Sequence, residues 1–160
     1  MVNMNKFIVI CIDGWDYEYI NYHKMEFISL KKRSFTKPVK SMMPSVTNVN
    51  NLSIISGVYP SKHGICSNYN YSKNLNQGIY LEDNKYVMSE TIFNICNKKN
   101  LTSILATSKN KLKTLLINNN FNNNLSYSTE NPSTFLINKF GEAPSIYTIK
   151  ANSWTISTAS

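Results

Sequence analysis

At 160 residues, with 42% hydrophobic content and 12% aromatics, the chain suits one globular domain with a packed core. Seventeen Lys and Arg against nine Asp and Glu give a formal charge of +8 and a pI near 9.4, which favours an anionic partner. Nucleic acid is set aside because the basic residues are scattered without a nucleic-acid fingerprint, the densest cluster being Lys31, Lys32 and Arg33, which reads as a solvated helix end.

Lys6 to Ile12, KFIVICI, is a continuous β-rich apolar run and predicts a strand buried on both faces, ended by Asp13 and Gly14. Six apolar residues, Phe7 to Ile12, are too few for a signal-peptide core or a membrane span, so no membrane partner is expected. Tyr17 to Lys32 follows as a helix carrying Ile20, Met25, Phe27, Ile28 and Leu30, and Phe35 to Ser41 as an extended piece broken by Pro38. Thr47 then reads as the N-cap of a helix with Val49, Leu52 and Ile55 on one face, stopped by Gly57. Val58 to about Lys85 is rich in Tyr, Asn and Ser and predicts a long loop.

Ser89 to Asn97 is a helix that Ser89 can cap, Leu101 to Thr107 a second buried strand, and Lys111 to Ile117 a short helix. Asn118 to Asn120 and Asn122 to Asn124 are compositional bias. A further helix spans Pro132 to Phe140, and the last residues begin another. Strand, helix, strand and helix in this order predict an α/β domain with a mostly parallel sheet flanked by helices. Cys11, Cys66 and Cys96 are odd in number and lack C-x-x-C spacing, which argues against a disulfide framework or a thiolate zinc site and for a reducing, cytoplasmic compartment.

Three places could carry chemistry. Asp13, at the C-terminal end of the first strand, lies where ligands bind in open α/β sheets; it is either a metal-binding carboxylate or an ordinary Asp-Gly turn residue. Thr47 sits at a helix head, whose unpartnered N–H groups and partial positive charge attract anions; it is either a nucleophile or only a cap. A metal held by a nearby carboxylate would favour the alkoxide, so the two residues explain each other. Lys109 and Lys111 follow the Leu101 to Thr107 strand, on the same sheet edge as Asp13, and are either an anion clamp or a solvated loop.

IDG at Ile12 to Gly14, together with MPSVTNVNNLSIISGVYPSKHGICSNYNY at Met43 to Tyr71, resembles the alkaline phosphatase superfamily in its nucleotide pyrophosphatase and phosphodiesterase branch, and within that branch the phosphonoacetate hydrolases. The T-N-x-N-N-x-S-I-x-S/T-G run, the H-G-I and the N-Y carry the likeness, which continues at Ala106 to Leu112 and faintly at Pro144 to Tyr147. The resemblance implies the N-terminal portion of an alkaline-phosphatase-like core holding two divalent metal ions, zinc foremost. Asp13 would bind one zinc and Thr47 would be both a ligand of that ion and the nucleophile. Asn68 would donate to a phosphoryl oxygen, and Lys109 and Lys111 would clamp the substrate carboxylate. The implied reaction splits the C–P bond of phosphonoacetate, a small anionic substrate, into acetate and phosphate through a phosphorylated Thr47. His63 falls in the motif's structural turn and His23 on the first helix; neither is assigned to metal.

The chain departs from that pattern in its ligands. A two-zinc phosphoryl site needs about six protein ligands, mostly His and carboxylate, whereas the only aspartates are Asp13, Asp16 and Asp83 and the only histidines His23 and His63. After Glu90 only Glu130 and Glu142 are acidic, so the remaining ligands are expected beyond Ser160. A helix head contributes about 0.3–1 kcal/mol to an anion and each exposed lysine up to about 1 kcal/mol. Their sum is below the roughly 4.1 kcal/mol of a millimolar complex. The 160 residues alone are therefore expected to bind phosphonate more weakly than millimolar without turnover, and to leave apolar sheet surface uncovered. Two alternatives remain: a phosphodiesterase or nucleotide pyrophosphatase, for which the lysine pair has no evident use, and a non-catalytic anion-binding remnant.

Overall fold

The structure is a computed structural model and describes residues 6–19, 34–118 and 124–159. The chain divides into two compact units, Met1–Ser41 and Met42–Ser160.

In the first unit, the expected strand Lys6 to Ile12 forms no ladder, and Phe7, Ile8 and Ile10 are each more than 70% exposed. Apolar β-formers favour extended backbone, but a strand exists only where a neighbour takes its hydrogen bonds, and none does so among the described residues. Asp13 and Gly14 form the expected turn, with Gly14 at φ 73°, a conformation that glycine adopts without steric cost. The helix expected over Tyr17 to Lys32 lies mostly outside the described residues, as do His23 and the Lys31, Lys32 and Arg33 cluster.

The second unit opens on α1 (Thr47–Ser56), which Gly57 ends at φ 68°. Its N-cap is Val46, in extended conformation, so Thr47 is the first helical residue and not the cap that the sequence predicted. The entry is tied down by Asn50 instead: its Oδ1 accepts the Met42 N–H at 2.8 Å and its Nδ2 donates to the Val46 carbonyl at 3.0 Å. Two side-chain bonds hold the loop that capping by Thr47 would have held.

The expected loop from Val58 to Lys85 is largely ordered. It contains α2 (Pro60–His63), the strands β1 (Tyr69–Ser72) and β2 (Gln77–Tyr80), and a 3-10 turn at Asn84–Tyr86. β1 and β2 form an antiparallel hairpin that pairs Tyr69 with Tyr80, their rings edge to face at 5.2 Å between centroids. Asn76 at φ 49° closes the connection, a left-handed position that asparagine tolerates.

α3 (Ile92–Lys98) starts later than predicted, because Thr91 is its cap: the Thr91 N–H and hydroxyl both donate to Asn94 Oδ1 at 2.7 Å. β3 (Ser103–Thr107), α4 (Asn110–Leu116) and β4 (Asn124–Ser128) then form a β-α-β unit, β3 and β4 running parallel from Ser103↔Asn124 to Thr107↔Ser128. α5 (Thr134–Phe140), capped by Ser133, and α6 (Ile149–Ala159) complete the unit. The fold is α/β; parallel pairing among the described residues is confined to β3 and β4.

The core lies where α1, the hairpin and α4 meet. Val49, Leu52, Ile65, Leu81, Leu115 and Leu116 are buried together, flanked by Val46, Ile55, Ile79 and Leu105. Each such side chain contributes about 1.5–3 kcal/mol by leaving water. Trp154 and Ala151 of α6 and Leu136 of α5 are buried as well, with the Trp154 indole N–H donating to the Gly141 carbonyl at 3.3 Å.

Candidate functional site

Every polar residue of the T-N-V-N-N-L-S segment that the structure accounts for is used in folding, with one exception. Asn50 holds the entry loop, Asn51 Nδ2 donates to the Thr47 carbonyl at 3.0 Å, and Ser53 Oγ donates to the Val49 carbonyl at 2.8 Å. Ser53 also meets His63 Nε2 at 2.9 Å, while His63 Nδ1 accepts the Ile65 N–H at 3.2 Å. Since Nδ1 accepts, Nε2 carries the proton and donates to Ser53; the ring is neutral and both nitrogens are taken. Burial pushes its pKa below the ordinary histidine value. His63 is wholly buried and joins α1 to α2, in keeping with the structural role expected of it. Gly64 follows at φ 83°, where a Cβ would fall 2.8 Å from Met88 Sδ, so the H-G pair admits no other residue at its second position without displacement.

Asn48 is the exception: it is 1% exposed, and neither Oδ1 nor Nδ2 has a hydrogen-bond partner among the described residues. It adjoins Thr47, which is half-buried in the first turn of α1. Asn68 immediately precedes β1; its carbonyl accepts the Leu81 N–H at 2.9 Å, and its Oδ1 is buried without a hydrogen-bond partner among the described residues.

Lys109 and Lys111 share one cleft of about 740 Å³, with Glu82, Asp83, Lys85, Glu130, Tyr80, Tyr86 and Tyr147 also on its walls. It opens at the C-terminal ends of β3 and β4. There the ladder runs on past the strands, the Thr129 and Glu130 N–H groups donating to the Thr107 and Ser108 carbonyls at 3.0 Å. Thr107 Oγ1 donates to the Lys109 carbonyl at 2.9 Å, and the Asn110 N–H donates to Glu130 Oε2 at 2.7 Å. These bonds fix the backbone that carries both lysines. This is the sheet edge at which ligands bind in open α/β folds.

The cleft's charges are largely matched. Asp83 Oδ2 lies 3.2 Å from the Lys85 ammonium. The Lys85 backbone N–H, and then its side chain, hold the Asp83 carboxyl below its usual range, and Asp83 in turn raises Lys85. Lys111 Nζ is 3.9 Å from Glu82 Oε1. Lys109 has no ion-pair partner among the described residues.

The structure thus brings Lys109 and Lys111 together. Thr47 and Asn68 belong to the same unit but line no part of this cleft, and Asp13, an exposed turn residue, belongs to the first unit. Sequence reasoning missed Glu82 and Glu130. Glu130 was within reach of the sheet-edge argument that selected the lysines, had the Asn-rich segment before it been read as a strand. Two zinc ions need more than these residues supply: among the described residues no three His, Cys, Asp or Glu side chains converge. The three cysteines are free thiols, and no helix among the described residues is long and apolar enough to cross a membrane.

A family model for type I phosphodiesterase / nucleotide pyrophosphatase matches residues 7–154. Among solved structures, phosphonoacetate hydrolase from Sinorhizobium meliloti 1021 in complex with phosphonoacetate is similar at a TM-score of 0.62 and 27% identity, over 71% of this chain and 31% of that one. The same hydrolase in complex with phosphonoformate gives a TM-score of 0.61 and 26% identity over 71% and 31% of the two chains. The chain therefore spans less than a third of the length of these hydrolases.

Proposed function

The chain belongs to the type I phosphodiesterase / nucleotide pyrophosphatase family, and from that premise we propose that it is the nucleophile-bearing portion of an alkaline-phosphatase-like hydrolase domain acting on phosphonoacetate. The observation that carries this reading is the pair of lysines, Lys109 and Lys111, on one cleft at the C-terminal edge of β3. A substrate with an anion at each end has a use for two ammonium groups set apart from the nucleophile. An ordinary phosphodiester does not.

In the proposed reaction the Thr47 oxygen bonds to phosphorus as the P–C bond breaks. The electron pair leaves on carbon, which takes a proton from solvent to become the methyl group of acetate, while the threonine hydroxyl gives up its own. Water then hydrolyses the phosphothreonine, releasing phosphate and restoring the hydroxyl. Asn68 would donate to a phosphoryl oxygen, and Lys109 and Lys111 would hold the carboxylate. The superfamily is metal-dependent; Asp13 and Thr47 are the residues we assign to a zinc site, for which the described residues do not furnish the ligand set. The unpaired cysteines support a reducing, cytoplasmic setting.

Replacing both lysines, as Lys109→Met with Lys111→Met, should weaken binding of phosphonoacetate about three- to tenfold and leave methylphosphonate, which lacks the carboxylate, unchanged. Chemical-shift titration of the 160-residue chain with each ligand decides it. Equal weakening of both would remove the carboxylate clamp. It would favour the second reading, a phosphodiesterase or nucleotide pyrophosphatase, which the family match and the three tyrosines on a cleft of 740 Å³ support.

A further inference from the structure

We propose that Glu82 sets the ligand specificity of the lysine cleft: its carboxylate occupies Lys111 in the free protein and is displaced by the carboxylate of an incoming ligand. The inference rests on the reading of Lys109 and Lys111 as a carboxylate clamp. It adds a competitor built into the chain.

Three observations converge on Glu82. Its Oε1 is 3.9 Å from Lys111 Nζ, while Lys109, on the same cleft, has no ion-pair partner among the described residues. The two lysines therefore differ among the described residues: Lys109 has no carboxylate partner, and Lys111 is held by an internal carboxylate, the same group that the proposed substrate presents. The backbone of Glu82 is also fastened to the helix that bears Lys111. Thr114 Oγ1 donates to the Glu82 carbonyl at 2.7 Å, and Asn84 Nδ2, two residues on, donates to the Leu115 carbonyl at 2.9 Å. The main chain at Glu82 thus keeps its place against α4 whether or not its side chain is paired. Finally, the side chains of Lys111 and Glu82 are 38% and 40% exposed, so the pair is solvated, weak and exchangeable.

Glu130, the other carboxylate near the lysines, differs in kind. It accepts the Asn110 backbone N–H and so belongs to the scaffold. Glu82 is ion-paired to a side chain through its own side chain, and removal of its charge leaves the backbone bonds of the segment intact. A ligand carboxylate that bridges both lysines takes the place of Glu82 on Lys111, and one that lacks a carboxylate leaves the internal pair as it is.

The test is acetylation of lysines in the full chain, read at Lys109 and Lys111 by peptide mass spectrometry, for the unaltered protein and for Glu82→Gln. Glutamine keeps the size and the backbone bonds of residue 82 and removes the charge. Without ligand, Lys111 should label faster in the variant and Lys109 at the same rate. With phosphonoacetate added, half-protection of Lys111 should move to about two- to fivefold lower concentration in the variant, the factor a solvated ion pair supplies. Methylphosphonate should show no such shift. Identical protection midpoints in both proteins would show that the lysines bind carboxylate and that Glu82 does not compete, which overturns this inference alone. Weaker protection in the variant would make Glu82 a support of the site and overturn it equally. Protection of neither lysine in either protein would remove the clamp reading itself, and this inference with it.

Discussion

Replacing His63 with alanine should lower the unfolding free energy by about 3–5 kcal/mol, a large share of the 5–15 kcal/mol typical of a folded domain. The ring is wholly buried, so its loss leaves a cavity between α1 and α2. It also strips the Ile65 N–H, on a residue with no exposure, of its acceptor. A buried donor without a partner costs about 1–3 kcal/mol by itself. Phenylalanine at this position keeps most of the volume and loses both bonds, so about 1–3 kcal/mol of the effect should persist in His63→Phe. Urea denaturation followed by circular dichroism reads both variants, and an alanine protein within 1 kcal/mol of the unaltered chain would contradict the packing described for His63. Acid adds a second readout. Burial holds the folded pKa below the ordinary value of 6.5, so the unfolded chain takes up a proton near that pH that the fold resists. The stability contributed by neutral His63 is complete above about 6.5 and declines as pH falls below it. The Phe variant should show a correspondingly shallower decline over the same range.

Where a residue's neighbours in sequence are also its neighbours in space, the sequence was informative. α1, β3, α4, α5 and α6 fall within a few residues of their expected positions, because apolar spacing and local stop signals such as Gly57 determine them. The misses have long-range or competing local causes. Lys6 to Ile12 has the composition of a strand but no ladder partner among the described residues, and composition alone cannot supply one. β4 is a strand because β3 offers it a parallel edge, a fact invisible in an Asn-rich segment. The hairpin at Tyr69 to Tyr80 rests on a tyrosine pair across the strands and a left-handed Asn76, and burial alternates along neither strand. At Thr47 and Ser89 the preference of Ser and Thr for N-caps pointed to the wrong residue: Asn50 fastens the entry to α1 from inside the helix, and Thr91 with Asn94 closes the entry to α3. The candidate site followed the same division. Two lysines after a strand were legible from the topology rule, whereas Glu82 reaches Lys111 from 29 positions away, as the numbers of that pair show.

Asn48 and Asn50, two residues apart in one motif, should respond differently to alanine. Asn50→Ala removes an acceptor for the Met42 N–H and a donor to the Val46 carbonyl, and should cost about 1–3 kcal/mol at the usual value per hydrogen bond. Asn48→Ala removes two buried polar atoms that have no partner among the described residues and puts the strongest helix former into the first turn of α1. Its expected effect lies within about 1 kcal/mol of zero, the small cavity being offset by relief of an amide desolvated without return. Thermal and urea unfolding of the two variants, run side by side, measure the difference directly; a loss for Asn48→Ala as large as that for Asn50→Ala would mean that the Asn48 amide is bonded in solution. If the contrast holds, folding does not account for an asparagine at position 48. Natural sequences break local rules chiefly where a function depends on the residue, and the residue beside this one is Thr47. The Asn48 amide, buried with neither donor nor acceptor partnered among the described residues, would then add nothing to the stability of the helix head it sits in.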